Sequence, residues 1–393
     1  MKYLIIGFGI TGVEVEKYLK KNNDEYMIYD QKKIAHEKYL SYEDLYRDLP
    51  LFDFGIKSPG IKKDSKEYRL ISILCKDIIS EIDFAYSKIS STHLIGVTGS
   101  NGKTSFCNFL ATFLKNKYRT FLAGNIGISL ISLIDKIKED DYVIIELSSF
   151  QIEDSKYLKL QDLFITSICE NHLNYYGDKT FYLAAKKRGL LLCANEPYIL
   201  NTNELFIKNC QYNDEFIDKI KYQLTGKYNI EYALYAYTYA LKHHIDKEKL
   251  SKSISDLQMV KYRLNVSKKV DFLTFINDSK STSADASEFA YLTYYQYPEI
   301  LILGGIHKSA SFNKIKIKNH DLVLIYGQDK EKINSEISGI LFNNLEEIFK
   351  YLKKIKDEYY VIFSPGCDSH DQFKNFEDRG NYYELLIDKY FIN

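Results

Sequence analysis

Residues 94–106, Leu-Ile-Gly-Val-Thr-Gly-Ser-Asn-Gly-Lys-Thr-Ser-Phe, limit what this chain can fold into more than any other stretch. A short apolar run (Leu94, Ile95, Val97) leads into a glycine-rich turn, then Lys103-Thr104 and a helix-like stretch from Phe106 to Lys115. That is the strand, loop and helix order of a phosphate-binding loop. Gly99 and Gly102 let the backbone turn the N–H groups of the loop, Ser100 and Asn101 with Ser105 behind them, inward to a phosphate, and the following helix offers the same phosphate its positive N-terminus. Lys103 can reach the outer phosphates of a nucleoside triphosphate, and Thr104 can hold Mg²⁺. The general motif has a glycine five positions before the G-K pair; here that position is Val97, with glycines at 96 and 99 instead. An ordinary Gly/Ser/Asn turn is the plainer alternative, but it leaves the placing of the lysine and the hydroxyl unexplained.

A chain of 393 residues exceeds one ordinary core, so two or three domains are expected. The balance of 53 basic against 53 acidic residues calls for neither nucleic acid nor an anionic membrane. Six cysteines without a C-x-x-C pair read as reduced thiols rather than a zinc site. No basic and apolar leader precedes the first strand and no apolar run reaches membrane-spanning length, which makes the cytoplasm the expectation.

The first segment, 1–88, opens with a strand into Gly7-Phe-Gly9-Ile10-Thr11-Gly12, a helix (Val13 to Lys20) and a second strand ending at Asp30. Strand, G-x-G-x-x-G, helix and a later acidic residue form the dinucleotide-binding fingerprint. About 80 residues separate this turn from the phosphate loop, too few for both halves of a dinucleotide fold. A half-size Rossmann-like domain holding part of another nucleotide is therefore expected, with Ser58-Pro59-Gly60 as a further rigid turn. A purely structural βα turn stays open.

The second segment, 89–258, carries Ala123-Gly124-Asn125-Ile126-Gly127 and a strand, Tyr142 to Glu146. A carboxylate ending a strand beside a phosphate loop is placed to hold the metal. A third strand, Leu163 to Ile168, runs into Asn171-His172-Leu173. His172 reads as a metal ligand or as a structural imidazole. Phe181 to Leu192 reads as a helix carrying Lys186, Lys187 and Arg188, on sequence alone a solvated basic face.

In the third segment, 259–393, Arg263 precedes a strand, Phe272 to Ile276, that ends in Asn277-Asp278-Ser279-Lys280-Ser281-Thr282. Strands Ile300 to Leu303 and Tyr360 to Phe363 lead into Gly304-Gly305-Ile-His-Lys308 and Ser364-Pro-Gly366. Strand ends in an open parallel sheet share one edge, so these polar turns are expected to converge on one ligand.

The ordered set T-G-S-N-G-K-T (98–104), G-N-I-G (124–127), E-L-S-S-F-Q (146–151), N-H-L (171–173), A-A-K-x-R (184–188), I-N-D-S-K-S-T (276–282), L-G-G-x-x-K-S-A-x-F (303–312) and S-P-G-C-D-S-x-D-Q-F-K-N-F-E-x-R-G (364–380) resembles the Mur ligases. Within that family it is most similar to the members that add D-glutamate. The resemblance implies an α/β protein of three domains: an N-terminal Rossmann-like domain for the UDP substrate (1–88), a central phosphate-loop ATPase with a parallel sheet flanked by helices (89–258), and a C-terminal Rossmann-like domain (259–393) that closes and brings the amino acid.

It further implies ATP-dependent peptide-bond formation between UDP-N-acetylmuramoyl-L-alanine and D-glutamate in cytoplasmic cell-wall precursor synthesis, by a monomer. Ile10 and Thr11 would touch the UDP group, with Asp30 near the uracil. Lys103 would bind phosphates, and Thr104 with Glu146 the first of two Mg²⁺ ions. His172 and Lys186 would serve the second ion, the lysine as a carbamate, an anionic oxygen ligand suited to a hard metal. Asn125 would contact the muramoyl-peptide, Arg263, Asp278 and Lys280 the nucleotide. Thr282, Lys308, Ser369 and Phe376 would form the amino-acid pocket.

Some positions depart from the family pattern. The usual G-x-H-N-x-x-N reads Gly226-Lys-Tyr228-Asn229-Ile-Glu-Tyr232, so a tyrosine replaces the asparagine expected near adenine. His370 stands in place of leucine, and Asn171 in place of aspartate. The competing readings are a ligase for another amino acid such as L-glutamate, an NAD-dependent oxidoreductase resting on Gly7, Gly9 and Gly12, and a nucleotide-binding module without catalysis.

Overall fold

The chain is described as a computed structural model covering residues 1–47, 49–61, 63–90, 93–126, 128–167, 188–200, 214–224, 226–308 and 311–392. Its strands form three sheets in chain order. The first holds β1 (Lys2–Ile6), β2 (Glu25–Tyr29), β3 (Tyr39–Leu40), β4 (Phe52–Lys57) and β5 (Cys75–Ser80), all parallel, in the order 3-2-1-4-5. This corrects the half-size expectation, because five strands of the doubly wound order fit into this short segment. They fit because β3 has two residues and is reached from β2 by a loop, without a crossover helix.

The second sheet holds β6 (His93–Thr98), β7 (Thr120–Gly124), β8 (Tyr142–Glu146), β9 (Asp162–Ile165) and β10 (Tyr198–Ile199), again parallel, in the order 10-9-6-8-7. The third has β11 (Asn265–Val270), β12 (Leu273–Asn277), β13 (Glu299–Gly304), β14 (Leu322–Tyr326), β15 (Ile340–Leu341) and β16 (Tyr359–Phe363), in the order 11-12-16-13-14-15. Among the described strands only β11 runs antiparallel to its neighbour.

Alternation along the parallel strands decides which face each side chain meets. In the third sheet Ile276, Leu301, Leu303, Ile325 and Ile362 pack on one face with Tyr291 and Phe312. Phe275, Ile300, Ile302, Leu324, Val361 and Phe363 pack on the other with Phe349 and Tyr383. Both faces being buried explains the near-continuous apolar strands. On the second sheet, α4 (Lys103–Leu114) buries Phe106, Phe109, Leu110 and Phe113 against Tyr232, Ala233, Ala236 and Ala240 of the Lys227–Lys242 helix.

The first two sheets share a core. Val15 and Leu19 of α1 (Ile10–Lys21) join one cluster with Leu130, Ile131 and Leu133. A buried ion pair reinforces it: Lys57 at the end of β4 donates to Asp154 Oδ2 at 2.5 Å, and Lys63 reaches Oδ1 at 3.0 Å. The helix expected over Phe181–Leu192 lies mostly outside the described residues, and Gly189–Leu192 forms a 3₁₀ turn. No helix among the described residues is long and apolar enough to cross a membrane.

Candidate active site

The phosphate loop connects β6 to α4, as the motif requires. Gly102 caps the helix at φ +83°, and a Cβ there would lie 2.3 Å from the Tyr232 ring. Gly99 (φ +147°) is equally constrained, since a Cβ would meet Thr166 Oγ1 at 2.0 Å. The loop is held from β9's end: Asn101 N donates to Ser167 Oγ (2.8 Å), Ser100 N to the Ser167 carbonyl (2.9 Å), and Thr166 Oγ1 to the Asn101 carbonyl (2.5 Å). Lys103 lies across the loop and donates to the carbonyls of Gly99 (2.7 Å) and Ser100 (3.1 Å).

Glu146 ends β8, the neighbour of β6, in register with Val97. Its carboxylate is buried; Oε1 accepts from Asn125 Nδ2 at 3.4 Å, and Oε2 has no hydrogen-bond partner. The third sheet adds cations to this centre. Lys280 donates to Thr104 Oγ1 at 3.5 Å, and Arg263 has a buried, unpartnered Nε. Burial holds the Lys103 ammonium below the ordinary lysine range; the Arg263 and Lys280 charges add to this and Glu146 opposes it. Lys280 is lowered too, by burial first and then by Arg263. Three cations crowded at a helix N-terminus are arranged for a polyanion. An unpartnered buried carboxylate oxygen near the Thr104 helix suits a hard divalent cation bridging to that polyanion. Magnesium with a nucleoside triphosphate fits this donor set. His172 and Lys186, expected at a second ion, lie outside the described residues; among the described ones no three His, Cys, Asp or Glu side chains gather as a metal site.

The three polar turns of the third sheet do share an edge, since β12, β16 and β13 are adjacent and parallel. Asp278 is buried, accepting from Ser364 Oγ (2.7 Å) and Leu264 N (3.2 Å), and burial pushes its carboxyl up to about 6. It joins two turns and also lines the cavity beside Asn101 and Gly102 of the phosphate loop. Phe376 begins the Phe376–Phe391 helix, accepts from Ser279 Oγ at 2.8 Å through its carbonyl, and carries Lys280 Nζ 5.5 Å from its ring. Lys280 therefore touches both the phosphate-loop helix and the expected amino-acid pocket. Lys308 donates to Asp368 Oδ2 at 2.7 Å, and His370 pairs with the other oxygen. Ser369 is buried and Thr282 exposed.

In the first sheet, Asp30 fixes the glycine turn by accepting from Phe8 N (2.7 Å) and Lys32 N (2.8 Å). Ile10 stands 79% exposed at the start of α1 beside Thr11, free for a ligand contact. Ser58 Oγ donates to the Gly7 carbonyl at 3.2 Å, so the Ser-Pro-Gly turn braces the same loop.

Sequence reasoning assigned no role to Arg379, which is fully buried. It donates to the carbonyls of Ser279 (2.8 Å), Ser281 (3.3 Å) and Cys367 (3.0 Å), clamping two of the polar turns together. Its place inside the E-x-R-G part of a quoted motif was the available signal.

A sequence model described as the Mur ligase middle domain matches residues 97–233. The chain is 27% identical to a UDP-N-acetylmuramoylalanine--D-glutamate ligase from Caldicellulosiruptor saccharolyticus, with 99% of this chain and 98% of the relative covered. It is 29% identical to one from Francisella tularensis subsp. novicida, covering 98% and 95%. Among solved structures, a MurF ligase from Thermotoga maritima in complex with ADP aligns at TM-score 0.61 and 14% identity over 98% of this chain and 95% of that one. A UDP-N-acetylmuramate-alanine ligase from the same organism aligns at 0.58 and 16%, covering 94% and 96%.

Proposed function

We propose that the chain is a Mur ligase and that it joins D-glutamate to UDP-N-acetylmuramoyl-L-alanine at the expense of ATP. The observation that carries this reading is the cluster of Lys103, Lys280 and Arg263 around one helix N-terminus, drawn from two sheets and faced by Glu146. The full-length likeness to D-glutamate ligases supports the choice of acceptor.

In this reaction the alanyl carboxylate attacks the γ-phosphorus, ADP leaves, and the acyl phosphate is opened by the D-glutamate amine, which expels phosphate. The nucleophile and the triphosphate are both anionic, so the first step needs cations that are already in place. Lys103 and the N–H groups of the loop hold the phosphates; Thr104 and Glu146 would hold Mg²⁺, which supplies Lewis-acid charge neutralisation when bound. Lys280 spans from Thr104 to Phe376 and ties the nucleotide end to the acceptor end. Closing the third sheet over the second would keep water from the acyl phosphate. Lys308, Thr282, Ser369 and Phe376 receive the amino acid, and Ile10, Thr11 and Asp30 the UDP group. His172 and a carbamylated Lys186 complete the site in this reading.

A ligase taking another amino acid is the second reading. It rests on Lys308, which is paired with Asp368, a carboxylate that His370 also holds, and so is differently presented from a lone lysine. The test is mass-spectrometric detection of the dipeptidyl product from ATP, the UDP substrate and D-glutamate. Wild type should form it, and Lys103→Ala should lose it.

A further inference from the structure

A cavity of about 200 Å³ opens beside the phosphate loop at Asn101 and Gly102. One wall is Tyr228, on the Lys227–Lys242 helix; the other is Asp285, Glu288 and Phe289, on the Ala284–Thr293 helix. Spacing of three and four residues puts those last three side chains on one helical face. Tyr228 and Phe289 touch where the two walls join, with ring centroids 4.6 Å apart at 58°, and together form an apolar surface on which a flat ring can lie.

Lys314 holds the two carboxylates together, paired with Asp285 Oδ1 and 3.6 Å from Glu288 Oε2. Asp285 Oδ2 is buried and has no hydrogen-bond partner. A buried acceptor without a donor is costly, so the oxygen calls for a donor from a ligand. Phosphate oxygens cannot supply one, and two carboxylates would repel them. The donor must come from the other end of the nucleotide.

Resting on the ATP reading above, we propose that Asp285 and Glu288 select the base. They accept from the exocyclic 6-amino group of adenine while Tyr228 and Phe289 carry the ring. A 6-oxo purine would turn an oxygen lone pair toward these carboxylates and leave Asp285 Oδ2 without a donor, which a site built for a donor rejects strongly. Tyr232, where an amide is usual, packs its ring on Gly102 and donates to the Thr166 carbonyl at 3.3 Å, so it supports the loop.

The test is calorimetric binding of ADP, IDP and GDP to the full chain with Mg²⁺, which needs no acceptor amino acid and so does not depend on D-glutamate being the right one. ADP should bind at least about 100-fold more tightly than IDP or GDP. Asp285→Asn and Glu288→Gln should narrow that gap to under about 10-fold, because an amide can donate to a 6-oxo group. Phe289→Ala should weaken all three nucleotides by a similar factor and leave the gap in place. Equal binding of the three by wild type, an unchanged gap in both amide variants, or an equal loss for all three nucleotides in those variants overturns the proposal. Failure of ADP to bind at all overturns the ATP reading with it, whereas tight ADP binding without turnover on D-glutamate overturns only the choice of acceptor.

Discussion

Lys280 Nζ stands 3.5 Å from Thr104 Oγ1, a contact that crosses 176 residues of sequence and joins the third sheet to the phosphate-loop helix. The same ammonium lies 5.5 Å from the Phe376 ring, so one side chain spans the two halves of the proposed reaction. Lys280→Met keeps the stem and removes the charge. It should lower kcat by on the order of 100-fold, the scale of one preorganised electrostatic contact, and raise the KM for ATP. Steady-state kinetics check this; unchanged kcat would mean that the contact serves folding alone.

Lys103 is poised for an anion. Burial first, then Arg263 and Lys280, holds its ammonium below the ordinary range. A triphosphate or diphosphate neutralises those neighbours and favours the charged lysine. The Lys103 titration should therefore move upward when ADP and Mg²⁺ bind, measured by NMR on labelled lysine side chains. A downward move or none would contradict the placing of the phosphates.

Glu146→Gln separates stability from function. The native carboxylate is buried with Oε2 unpartnered, a state costly to folding and useful only if something else binds it. The amide should leave Tm unchanged or raise it while turnover falls by on the order of 100-fold or more. Thermal melts beside a Mg²⁺ titration of activity test the pair of outcomes; a large drop in Tm with activity retained would reverse the argument.

Glu81 makes stability depend on pH. It is buried at the start of α3 (Glu81–Tyr86), accepts from Gln151 Nε2 at 3.2 Å, and burial pushes its carboxyl up to about 7, with the Gln151 bond opposing and Asp154 adding. A carboxyl whose folded value lies above its unfolded 4.5 contributes stability that is complete below 4.5 and is lost as pH rises to about 7. Glu81→Gln should flatten that fall, so its Tm should gain on wild type between these values. Parallel melting curves across that window would show that Glu81 does not titrate there.

The phosphate loop, the carboxylate on the neighbouring strand and the convergence of three strand ends were legible because each is encoded locally, by residue spacing within a strand, turn and helix. The Lys57–Asp154 pair was not, since it joins residues 97 apart in sequence and depends on how two sheets meet. The clamp by Arg379 was not legible either, since it reaches the Ser279 carbonyl across 100 residues of sequence and depends on the fold wrapping two turns around it. The first sheet was expected to be smaller because the segment reads as too short for both halves of a dinucleotide fold; the two-residue β3, too short to show a period, is part of how five strands fit. Tyr228 was visible as a departure, but its partner Phe289 and the carboxylates beside it come from a helix of another sheet layer.

Phosphate release from ATP with UDP-N-acetylmuramoyl-L-alanine, comparing D-glutamate, L-glutamate, L-lysine and diaminopimelate as acceptors, tests the central claim most directly. The account predicts release with D-glutamate alone, abolished by Lys103→Ala. Release with one of the other acceptors instead, or with none of the four, would contradict it.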